Sequence, residues 1–227
     1  MQSWLRLFYR ELGWQFRLLL SQPRMMLQPL LFFLLVTLLF PLALGHSAQT
    51  LMPLAPGLVW VALLLAVFLT LPQMFATDFY DGTLALWVAS GQPLSMYVLA
   101  KWSAHWTFFV LPLVLASPGV ATALYFDLDQ FALLLSVLML GSFAMVGIGA
   151  IGVSVMQQGQ PHPFLLAVWV LPFYVPIVIF GAGSLALPEP IEGWVMGGLF
   201  LGGLALLALL IVPGVTAYLL KLSLSQS

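Results

Sequence analysis

Six apolar runs, at about residues 27–45, 54–76, 96–125, 131–156, 163–187 and 194–220, take up most of this 227-residue chain. Crossing the hydrocarbon core of a bilayer takes roughly 20 apolar residues in a helix. A helix satisfies its own backbone hydrogen bonds, which lipid cannot do. Each run is long enough, so the chain is expected to be an all-α integral membrane protein with six transmembrane helices. A water-soluble domain is excluded by composition: 63% of residues are hydrophobic and 6% charged, too few charges to cover that much apolar surface. The runs leave little room for a soluble domain, so one transmembrane domain over 1–227 is expected.

Charge placement sharpens the topology. Arg6, Arg10, Arg17 and Arg24 precede the first run, Lys101 follows the second connection and Lys221 follows the last run. With six spans all of these fall on one side. The opposite connections hold His46, then Asp127 and Asp129, then Glu189 and Glu192, without lysine or arginine. Cationic loops stay in the cytoplasm, so both termini are expected there. No cleavable signal is evident: a polar, arginine-bearing stretch precedes the first apolar run.

That stretch is itself patterned. Within Trp4–Leu20, Arg6, Arg10, Gly13 and Arg17 share one helical face, and Leu5, Phe8, Leu12, Phe16 and Leu19 share the other. The pattern predicts an interfacial helix within 1–24 on the cytoplasmic leaflet, ended by Pro23. Pro112 and Pro118, Pro172 and Pro176, and Pro213 fall inside predicted spans and imply bends. Gly141, Gly147, Gly149 and Gly152, and the pairs Gly193/Gly197 and Gly198/Gly202, read as close helix packing.

Several chemistries are missing. Neither lysine stands in a Gly-Lys-Ser/Thr context, so the chain has no phosphate-cradling loop of its own. Zinc-protease and hydrolase-elbow motifs are absent, and the lack of cysteine excludes disulfides and thiolate metal sites. The three histidines carry what signal remains. His46 and His162 sit at predicted span ends, where a histidine needs no special role. Lys101 and His105 are four residues apart on one helical face, between Trp102 and Trp106. Two readings are open: a cationic rim or axial ligand for haem formed by His105, Lys101 and Trp102, or an interfacial belt of tryptophans with a snorkelling lysine. The belt suits Lys101 and the tryptophans better, and His105 stays open.

One connection stands out. Residues 78–93 place two acids, two glycines and a proline between long apolar runs. Asp78 or Asp81 can cap a helix start. Leu84, Trp87 and Val88 then share a face, Gly91 can end the helix and Pro93 stops it. A short helix with an apolar ridge is expected across the cytoplasmic mouth.

The segments Phe40-Pro-Leu-Ala-Leu-Gly45, Leu54-Ala-Pro-Gly-Leu-Val-Trp-Val-Ala62, Asp78-x-x-Asp-Gly-x-Leu84, Leu99-Ala-Lys-Trp-Ser-Ala-His-Trp106 and Leu111-Pro-Leu-x-Leu-Ala-Ser-Pro118, in that order and spacing, resemble the CcmB family. These are the haem exporter protein B chains, membrane subunits of the cytochrome c maturation ABC transporter. The chain departs from the family pattern at Ala85 and Leu86, where relatives tend to carry a carboxylate and a glutamine, and at Pro72 and Ala76, where an acid and a base are usual.

The resemblance implies an ABC-2 type exporter permease in the bacterial inner membrane. Such a permease works with the ATP-binding subunit CcmA and with CcmC, CcmD and the haem chaperone CcmE, as a homodimer within the complex. Haem is the ligand carried, ATP is bound by the partner, and no intrinsic cofactor, metal, catalytic residue or nucleic-acid partner is expected. The alternative is a non-transporting subunit that transmits ATP-driven motion to release the loaded chaperone. On either reading Asp78, Asp81, Gly82, Leu84, Trp87 and Val88 form a coupling helix seated on the ATPase.

Overall fold

The computed structural model describes residues 2–156, 163–187 and 189–225. The connection at 157–161, together with His162, lies outside them. Among the described residues six helical segments are long and apolar enough to cross a membrane: Arg24–Leu44, Ala48–Tyr80, Leu94–Ala123, Phe131–Met156, Phe164–Leu185 and Ile191–Leu224. The chain is an all-α, multi-pass membrane protein.

In chain order the helices are α1 (Gln2–Leu20), α2 (Arg24–Leu44), α3 (Ala48–Leu51), α4 (Ala55–Thr70), α5 (Gln73–Tyr80), α6 (Thr83–Ala89), α7 (Leu94–His105), α8 (Leu111–Ala123), α9 (Phe131–Met156), α10 (Pro163–Leu185), α11 (Pro190–Gly193) and α12 (Leu199–Leu224). The bundle is built around α4 and α9, against which α2, α10 and α12 pack. The outer helices carry the lipid-facing surface: Leu35 and Leu42 on α2 and Leu206 and Leu210 on α12 are exposed. Glycine sets the spacing at the centre. A methyl group at Gly147 of α9 would come 2.6 Å from the Trp102 ring, so α7 and α9 meet at this distance only because the residue has no side chain.

Proline shapes the spans as well as ending them. Pro72 supplies no N–H to the carbonyl of Phe68, and the N–H of Leu71 turns to that oxygen instead, at 3.4 Å. The helix resumes as α5, so the second span runs on to Tyr80, beyond the boundary near residue 76 expected from hydropathy. Pro112 has the same deficit in the third span, and the chain before it widens into a π-helical turn, Trp106–Val110.

The N-terminal helix forms as its pattern predicts, with Arg6, Arg10 and Arg17 exposed, and it packs along α7. That packing buries Glu11 and Gln15 beside the apolar residues, and Gln15 Nε2 donates to Glu11 Oε1 at 2.8 Å. The two polar side chains satisfy each other, which lets the face close on α7.

Candidate functional site

Three polar side chains of α7, at Tyr97, Lys101 and His105, recur every four residues and line one stripe of the helix. The stripe faces α4 and α5. Asp78, near the end of α5, accepts from Lys101 Nζ at 2.5 Å. Its same oxygen accepts the Tyr97 hydroxyl. Asp78 is 5% exposed and Tyr97 wholly buried, so α5 is pinned to α7 by a charge-assisted cluster shielded from water. One turn further along, His105 Nε2 lies 2.9 Å from Thr70 Oγ1. Phe109, in the π-helical turn, sets its ring centroid 4.7 Å from that of His105.

A cavity of about 540 Å³ opens beside this stripe. Its apolar wall comes from Trp14, Leu18 and Leu19 of α1, Met25 of α2, Met74 of α5 and Phe109. Asp78, Lys101, His105 and Gln15 supply the polar side. The volume and the mix of apolar wall with few convergent polar groups suit a ligand of small-molecule size. The described residues hold no cluster of three or more potential metal-ligating His, Cys, Asp or Glu side chains.

The residues singled out in the sequence separate. Lys101 and His105 come together on the cavity, but Trp102 does not join them. It lies wholly buried on the other side of α7, stacks on Phe143 with centroids 4.3 Å apart and donates Nε1–H to the Phe143 carbonyl at 3.2 Å. Trp106 likewise donates to Ser142 Oγ at 3.0 Å. These bonds tie both tryptophans to α9, and neither lines the cavity. Lys101 does not snorkel to the headgroups, because Asp78 holds it inward.

The connection at 78–93 is divided rather than continuous. Asp78 belongs to α5 and caps nothing. Gly82, with φ +79°, reverses the chain, and Asp81 Oδ1 accepts the N–H of Thr83 at 2.9 Å to start α6. That bond holds the Asp81 carboxyl below its ordinary range, aided by the Thr83 side chain and by the Lys101 charge. Gly91, with φ +70°, follows the helix end. The ridge of Leu84, Trp87 and Val88 points inward: Leu84 is wholly buried, Val88 half-buried, and Trp87 half-buried with its ring centroid 5.4 Å from Tyr97. A short helix takes the nearest apolar surface available, here its own bundle. The apolar groups left outward are Leu86, 72% exposed, and Tyr80, 73% exposed.

Sequence reasoning missed Asp78 as the partner of Lys101, Tyr97 as its second donor, and Thr70. The four-residue spacing of Tyr97, Lys101 and His105 was the available signal.

Six apolar crossings make the chain a multi-pass membrane protein, and its family match makes it a permease of the ABC-2 exporter type. Residues 2–223 match the family model described as "CcmB protein", and the chain belongs to that family. It is 42% identical over 212 residues to "Heme exporter protein B" of Pseudomonas aeruginosa, covering 92% of this chain and 94% of that one. It is 38% identical to the protein of the same description from Haemophilus influenzae, covering 79% of this chain and 84% of that one. With the Escherichia coli K12 protein of that description it shares 34% identity over 96% of this chain and 99% of the other.

Proposed function

We propose that this chain is the permease subunit of an ABC exporter that serves haem export or delivery to the periplasm for c-type cytochrome biogenesis. The descriptions of its relatives supply the ligand, haem. The chain's own sequence has no phosphate-binding loop, so the energy comes from a separate ATP-binding subunit, CcmA, in an assembly with CcmC, CcmD and the chaperone CcmE. The segregated cations favour an inner-membrane orientation with both termini cytoplasmic. Two copies of this chain would complete the permease.

The observation that carries this reading is the path from α6 to the third span. Leu86 and Tyr80 present an apolar face to the cytoplasm, while Leu84 and Trp87 are keyed into the bundle beside Tyr97 and Asp78. A push on α6 therefore reaches α7 through packed side chains and the Asp78–Lys101 pair. The apolar wall with Met74 and Phe109 suits the haem macrocycle, and Lys101 beside it suits a propionate.

Substitution tests the coupling. Leu86→Asp should leave insertion intact and abolish co-purification of the ATP-binding subunit, together with ATP-dependent haem delivery. Trp87→Ala should keep the subunit bound and lower delivery, because it loosens the joint rather than the docking face. Wild-type co-purification and delivery with Leu86→Asp would overturn the assignment of α6.

A further inference from the structure

The hydrogen-bond network around Thr70 favours one nitrogen of His105 as the bearer of its proton. The account starts at Pro72. Because that residue has no N–H, the Leu71 N–H is drawn to Phe68 O at 3.4 Å and leaves the carbonyl of Val67 without its usual backbone donor. Thr70 fills the gap, its hydroxyl donating to Val67 O at 2.8 Å. A hydroxyl has one proton. With that proton committed, Thr70 Oγ1 meets His105 Nε2 only as an acceptor, so Nε2 bears the hydrogen of their 2.9 Å bond. Nδ1 is then a bare lone pair.

It has no hydrogen-bond partner among the described residues, and it is not among the side-chain atoms sealed away from solvent. The His105 side chain is 3% exposed and lines the cavity, one turn of about 5.4 Å along α7 from Lys101. An unprotonated imidazole nitrogen beside aromatic and thioether groups is a donor for a metal centre. The Lys101 ammonium one turn away suits a pendant carboxylate.

We infer that Thr70 and His105 form a built recognition element in which Thr70, as a positioning residue, holds His105 Nδ1 toward the cavity to select a planar metal-centred ligand over its metal-free counterpart. The inference rests on the proposal that this cavity receives haem and adds that the iron, as well as the propionates, is recognised.

The test is a titration of the full-length chain in lipid nanodiscs with three probes: iron protoporphyrin, zinc protoporphyrin and metal-free protoporphyrin. Affinity and the Soret band are read for wild type, Thr70→Val, Thr70→Ser and His105→Ala. Both metalloporphyrins should bind wild type more tightly than the metal-free ring, with a Soret shift from axial nitrogen. Thr70→Val, which keeps shape and removes the acceptor, should weaken metalloporphyrin binding about 10–100-fold, as for other groups that orient a metal-ligating histidine. Binding of the metal-free ring should not change. Thr70→Ser should restore wild-type behaviour, and His105→Ala should abolish the Soret shift. If all three probes bind wild type alike, or Thr70→Val weakens all three equally, the metal-selection inference falls and the cavity proposal stands. If none binds folded wild-type protein, the cavity proposal falls with it.

Discussion

The joint between α5 and α7 and the connector α6 are neighbours in the chain but solve opposite problems. In the joint, polar groups are taken out of water and paired: Asp78 accepts from both Lys101 and Tyr97, and beside it Thr70 of α4 shares a hydrogen bond with His105. At α6 the side-chain bonds are exposed, from Thr83 N–H to Asp81 at the start and from the Ser90 hydroxyl to the Trp87 carbonyl at the end, and an apolar residue, Leu86, is left facing outward. A buried paired charge is costly to break and holds its geometry. The ends of α6 rest on exposed bonds, but its Leu84 and Trp87 are packed on the joint, so a push on α6 reaches the rigid pair behind it.

Breaking the joint should give the largest effect. Asp78→Asn leaves the Lys101 ammonium buried without its counter-charge and should cost about 3–5 kcal/mol, read as a lowered unfolding midpoint in detergent. Replacing both partners, Asp78→Asn with Lys101→Met, should recover most of that loss. A double variant as unstable as the single one would show that Asp78 acts through Tyr97 rather than through charge. Next in size, Gly147→Ala puts a methyl into the Trp102 ring and should cost about 1–3 kcal/mol by overpacking. Its signature is a change in tryptophan emission with porphyrin binding retained.

The connector should respond least. Asp81→Ala should cost at most about 1 kcal/mol, seen as faster amide exchange confined to α6. The pH dependence has a definite sign. The folded-state carboxyl of Asp81 is depressed, so its stabilisation is complete above the ordinary aspartate range and is lost as pH falls through the lower folded value. Asp81→Asn should remove that acid-side loss from α6 exchange. An unchanged acid profile in Asp81→Asn would assign it to another group.

The same contrast explains what could be read in advance. Six spans followed from apolar run length, because a bilayer imposes a length on every crossing. The direction each face points did not follow. A tryptophan buried against Phe143 and one at a lipid headgroup look alike in sequence, so Trp102 was placed with Lys101 and His105 although it points away from both. The ridge of Leu84 and Trp87 had two apolar partners available, its own bundle and another subunit, and periodicity does not choose between them. Asp78 looked like a cap because the second apolar run ends near residue 76, and Pro72 within that run gave no sign that the helix resumes as far as Tyr80. The shift of the Leu71 N–H to Phe68 carries the helix past that proline and places Asp78 opposite Lys101. That shift also commits the proton of Thr70, a consequence visible only once carbonyl partners are counted.

The most direct measurement is purification of this chain from its native membrane in mild detergent, followed by identification of every bound chain and of any chromophore. The account predicts an ATP-binding subunit in stable association, two copies of this chain, and a haem absorption band that His105→Ala diminishes. An intact chain that purifies without an ATP-binding subunit and without haem would contradict it.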